Sequence, residues 1–173
     1  MPYCANTVGV FKCPGDRSFG INDQGQRVPR PRSMSLNSWV GGPGINTTFP
    51  ERDSTTWKWK VYVKMSDFND PGPSGTFTFL DERADSIDNG FFAQSMDGYS
   101  DKPGQWTMLN QPASYHNGSG NLAFADGHVA SRKWKDRRTM TPVSYTSWQP
   151  YDLKVPGSAD ALWLMEHSTR SAR

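Results

Sequence analysis

Long hydrophobic runs are missing from this chain. None approaches the roughly 18 apolar residues that a membrane-spanning helix needs, so no span is expected within it. A secretory signal is missing too, because "MPYCANTVGVFKC" has neither a basic start nor a long apolar core. Cysteine is scarce: Cys4 and Cys13 are the only two. No second Cys or His pair lies near them, which argues against a zinc site. Two readings of the pair stay open, a disulfide closing a short loop or two free thiols, because spacing does not give the geometry a bridge requires. An excess of one charge is also absent, with 19 basic against 17 acidic residues, so nothing points to nucleic acid as a partner. Apolar residues make up only 35% of the chain and mean hydropathy is −0.73. A modest core follows.

Turn formers and aromatics are plentiful instead. There are 16 Gly and 13 Pro, and aromatics reach 13%, seven of them Trp. This composition predicts a single domain of the mainly β (α+β) class: an antiparallel sheet of at least three strands, many loops and a short C-terminal helix. Strands are expected over 57–65, 76–80, 121–125 and 128–133. "TWKWKVYVKM" alternates with period two, which puts Trp57, Trp59, Val61, Val63 and Met65 on one face and Lys58, Lys60, Tyr62 and Lys64 on the other. "TFTFL" places Phe77 and Phe79 together. "NLAFA" and "HVASR" flank Asp126-Gly127, which predicts a hairpin closed by a two-residue type I′ turn. In that register Phe124 faces Val129, and Leu122, Phe124 and Val129 share an apolar face. "SADALWLMEHST" predicts a helix capped by Ser158, with Leu162, Trp163 and Met165 on its buried side.

The stretch "SYHNGSGNLAFADGHVASRKW" holds His116, Asp126 and His128 within thirteen positions. A hairpin accounts for Asp126 and Gly127 without any chemistry, and His116 reads as a hydrogen-bonding anchor for the loop before it. No G-x-S-x-G elbow and no His-Glu-x-x-His helix occurs, so no enzymatic activity is expected. "DERADSIDNG" carries Asp81, Glu82, Asp85 and Asp88. These are candidate calcium ligands, although they lack the spacing of an EF-hand, and a solvated acidic turn is the plainer reading. His116, Asp126, His128 and Glu82 form an alternative metal group. Trp57, Trp59, Trp106 and Trp148 are candidate platforms for sugar rings, against a plain core role. No cofactor is required by any of these motifs.

His116, nine intervening residues and Asp126-Gly127 form a recognisable pattern. The chain resembles the prepilin-like proteins with an H-X9-DG C-terminal domain, the planctomycete type. "VFKCPGD", "SMSLNSWVGG", "PSGTFTFLDERADSIDNGFF", "NLAFADGHV" and "DALWLMEHST" are similar, in order, to segments of that family, and the resemblance spans almost all of the chain. Such proteins begin with a leader and a long apolar helix. These 173 residues open just before the Cys-Pro segment, so the globular head is expected here without that helix. The resemblance implies a structural subunit of a type IV pilin-like or type II secretion pseudopilin-like assembly. Its location would be extracytoplasmic, in the periplasm or at the cell surface, and its partners other pilin-like subunits or secretion components. An oxidising compartment would favour a Cys4–Cys13 disulfide. The alternative reading is a surface module that binds polysaccharide or another partner.

Overall fold

A computed structural model describes residues 7–41, 59–150 and 152–172. Nine short strands and one helix are present in it: β1 (Phe19–Ile21), β2 (Arg27–Pro29), β3 (Met34–Asn37), β4 (Phe77–Asp81), β5 (Phe91–Phe92), β6 (Thr107–Met108), β7 (Ser119–Phe124), β8 (Val129–Lys133), β9 (Leu153–Lys154) and α1 (Ala159–Ser168). The main sheet runs in the order β5-β3-β4-β7-β8, and β1-β2 and β6-β9 form two small ribbons. The fold is therefore mainly β with one short C-terminal helix, as the composition predicted. The main sheet is mixed rather than antiparallel throughout, because β5 lies parallel to β3.

Strand β7 shows why these residues make a sheet. Gly120, Leu122 and Phe124 point inward while Asn121 and Ala123 are half-buried on the other side, the period-two pattern of a strand with one packed face. Phe77, Leu80, Leu122 and Phe124 meet Ala161, Leu164 and Met165 of α1 in one core cluster. Ser158 caps α1 as expected, its side-chain oxygen accepting the Ala161 amide at 3.3 Å. The helix buries Leu164 and Met165, whereas Leu162 and Trp163 only flank the core.

Three further local expectations fail, each for a backbone reason. Phe77 and Phe79 do not share a face: Phe77 is buried and Phe79 is 43% exposed. A bulge lies between them, where β4 takes two steps against one on β7. An extra residue shifts the side-chain alternation by one, and the Thr78 hydroxyl donates to Ala123 O across it.

The hairpin is not closed by a two-residue turn. Ala123 pairs with Val129 and Leu122 with Ala130, and the Phe124 amide donates to His128 O. The loop is therefore Ala125-Asp126-Gly127. Its Gly127 amide donates to Phe124 O, and Gly127 has φ +91. This is the three-residue loop in which a turn is followed by a left-handed glycine. One residue of slip turns Val129 outward, 68% exposed, and sets His128 opposite Phe124, their rings stacked at 4.2 Å.

The third failure is the strand over 57–65. Residues 57 and 58 lie outside the described residues. From Trp59 onward only isolated bridges form, Trp59 with Ser171 and Val40 with Tyr62, and a 3-10 turn begins at Met65. Without continuous neighbours on either side, alternation does not set burial. Tyr62 is buried, stacked on Phe68 and donating to Asp70 O, while Val63 and Met65 are exposed.

Candidate metal centre

Three segments distant in sequence meet near the end of β4. The first is the loop "KCPGD". Its Cys13 amide donates to Ser33 Oγ at 2.7 Å, and the Gly15 amide donates to Cys13 Sγ at 3.3 Å. The second is Asp81, the last residue of β4, whose Oδ2 accepts from both the backbone and the side-chain nitrogen of Asn121. The third is the turn before β7, where the His116 amide donates to Ser119 O. His116 Nε2 stands 3.2 Å from Cys13 Sγ and 3.8 Å from Asp81 Oδ2. Cys13 and Asp81 are buried, and the His116 side chain is 41% exposed. Among the described residues, these three are the one group of His, Cys, Asp or Glu whose ligand atoms all lie within 4.8 Å of one another.

Burial dominates the electrostatics of this corner. Burial pushes the Cys13 thiol up; the Gly15 amide opposes that, and the nearby Asp81 adds to it. Burial likewise raises the Asp81 carboxyl, against the Asn121 bonds and His116. Asp16 is buried nearby, held by the Ser18 amide and hydroxyl, with Lys12 at 3.7 Å.

A nucleophile–base–carboxylate relay would use both ring nitrogens of a histidine, one for each partner. Here the same nitrogen faces sulfur and carboxylate. The arrangement is convergent, which is the geometry of ligands around a point.

The structure separates the other candidates. Of the four proposed calcium ligands, Asp81 joins Cys13 and His116. Glu82 is fully buried and accepts from Ser86 Oγ, and burial pushes its carboxyl up to about 8. Asp85 is clamped by Arg83 at 2.5 and 2.9 Å and accepts the Ser144 amide. Asp88 is exposed. These four do not converge on one point, since their side chains serve separate partners. Nor do His116, Asp126, His128 and Glu82. Asp126 Oδ1 meets His128 Nδ1 at 2.6 Å at the far end of β7. Of the aromatics, Trp106 is buried, its indole donating to Gly98 O. Trp59 packs edge-on against Tyr99 beside the core. Trp148 is 59% exposed. Trp57 and Cys4 lie outside the described residues, and with Cys4 the expected disulfide; Cys13 is a free thiol among the described ones.

The three clustered residues belong to three unrelated sequence features. His116 stood in the signature, Cys13 in a cysteine pair and Asp81 in an acidic turn. No ligand close in sequence to Cys13 marks the site, because Asp81 and His116 come from distant segments. Comparisons with family models, with curated proteins and with solved structures returned no match.

Proposed function

We propose that this chain is a non-enzymatic structural head of a type IV pilin-like or secretion pseudopilin-like surface assembly, held outside the cytoplasmic membrane. One observation carries the reading: the residues of the H-X9-DG pattern are used in the scaffold. His116 braces the Cys13 loop against the end of β4, and Asp126-Gly127 turns the hairpin at the opposite end of β7. The two ends of the motif serve different joints and share no reaction centre. The mainly β architecture with its C-terminal helix suits a display domain. No helix among the described residues is long and apolar enough to cross a membrane.

Fractionation of cells that carry the gene tests this. The chain is expected outside the cytoplasmic membrane and in crosslinks to pilin-like neighbours. Recovery only in the cytoplasm, without such partners, would contradict it.

A polysaccharide-binding role has one supporting observation. Exposed Trp148 and Tyr145 border a hollow of about 130 Å³ that Arg30 and Asp85 also line. That volume is small beside the roughly 300 Å³ at which ligand pockets begin, and the Arg30 guanidinium already lies 5.6 Å from the Trp148 ring. Oligosaccharide titration of Trp148→Ala against the unaltered chain would separate this reading from the structural one.

A further inference from the structure

We propose that Cys13, Asp81 and His116 form a zinc site that fastens the Cys13 loop to the end of β4, with water in the fourth position. This goes beyond the structural reading above and does not depend on it.

The geometry argues first. Tetrahedral zinc, with its usual bond lengths to S, N and O, sets ligand atoms about 3.3–3.6 Å apart. The sulfur–nitrogen and nitrogen–oxygen separations here are 3.2 and 3.8 Å, either side of that range. The sulfur and the carboxylate oxygen lie within 4.8 Å of each other, so side-chain movements of about 1 Å would close the three ligands on one ion.

The donor set argues next. One thiolate, one imidazole and one carboxylate suit zinc, whereas calcium takes six to eight oxygens. Charge also balances, since a divalent ion is neutralised by one thiolate and one carboxylate while the imidazole stays neutral. Binding releases the Cys13 thiol proton to solvent.

Partners outside the ligand set are already in place. Asn121 holds Asp81 Oδ2 through two nitrogens, and the Gly15 amide points at Cys13 Sγ. Groups of this kind orient metal ligands and stabilise their charged forms. Access is provided as well, because His116 opens the cluster to solvent while Cys13 and Asp81 close its floor.

The test uses the full chain, reduced and stripped with a chelator, then titrated with Zn²⁺ alone. Native mass spectrometry should find one zinc per chain, and the melting temperature should rise, as it must for a ligand held only by the folded state. Co²⁺ in place of zinc should give a thiolate-to-metal charge-transfer band. Cys13→Ser and His116→Gln should each weaken binding by at least about ten-fold. His128→Gln, at the far end of β7, should leave it unchanged. Three results would overturn the proposal: no zinc bound at micromolar free metal, binding that Cys13→Ser leaves intact, or a Cys4–Cys13 disulfide in the chain as isolated from its own cells. The cobalt spectrum decides on the unaltered chain should either variant fail to fold.

Discussion

Arg83 and Asp85 are both almost completely buried, and the guanidinium grips the carboxylate with two bonds. Burial alone would raise the Asp85 carboxyl, but Arg83 and the Ser144 amide outweigh it and hold it below its ordinary value. Asp85→Ala would leave a charged guanidinium in the interior with only neutral partners. A loss of about 3–5 kcal/mol is expected in urea unfolding. The double variant Arg83→Met/Asp85→Leu should lose less than the single one, because no unpaired charge stays behind. Asp136 gives a second prediction, in pH. The Arg138 guanidinium beside it holds its carboxyl down to about 2, from an ordinary 3.8. The folded chain therefore binds this proton less readily than the unfolded one. Its stabilisation is complete above about pH 4 and is lost as pH falls through 2. Arg138 is 40% exposed, so solvent screening keeps the effect to about 1 kcal/mol. Acid titration of Asp136→Asn should show that part of the acid limb flattened.

Among the elements, the β7–β8 hairpin shows best what the sequence makes legible. The positions of both strands, the place of the turn between them and the Ser158 cap could be read from residue types, because each depends on near neighbours. Phe77 and Phe79 could not be assigned to their faces, because the bulge between them is set by pairing with β7, far along the chain. The hairpin register failed similarly. Asp-Gly suits two loop lengths, and the Phe124–His128 stack and the Ala125 amide on Thr76 O accompany the longer one. Residues 59–65 carried the strongest alternation yet form no strand, since a strand needs a partner as well as a pattern. One close approach in β7 yields a sharp test. A Cβ at Gly120 would stand 2.7 Å from Ala113 O and 3.3 Å from the Trp134 ring. Trp134 is itself fixed by donating to that same carbonyl. Gly120→Ala should cost about 2–3 kcal/mol, seen as a lower denaturation midpoint. Val129→Thr, on the exposed face, should change stability by less than about 0.5 kcal/mol.

Across the whole molecule, polar groups share the interior with the apolar cluster. Asn37, fully buried, donates from one side-chain nitrogen to Phe77 O and Ser168 O, which links β3 to β4 and to the end of α1. A chain with 35% apolar residues needs such ties. The candidate metal centre is one more of them, and it was illegible in the sequence for the same reason. Cys13 and His116 are separated by 103 positions, and no local spacing announces their meeting. If His116 braces the Cys13 loop against the sheet, its loss should loosen that loop and spare the hairpin. Residue-resolved hydrogen exchange on His116→Gln and the unaltered chain tests it most directly. The amides of Cys13, Asp16 and Ser33, bonded respectively to Ser33 Oγ, Cys13 O and Phe11 O, should lose protection in the variant. Those of β7 and β8 should keep theirs, and zinc should deepen protection at the first three in the unaltered chain only. Unchanged exchange at Cys13, Asp16 and Ser33, or an equal loss over β7 and β8, would contradict the claim.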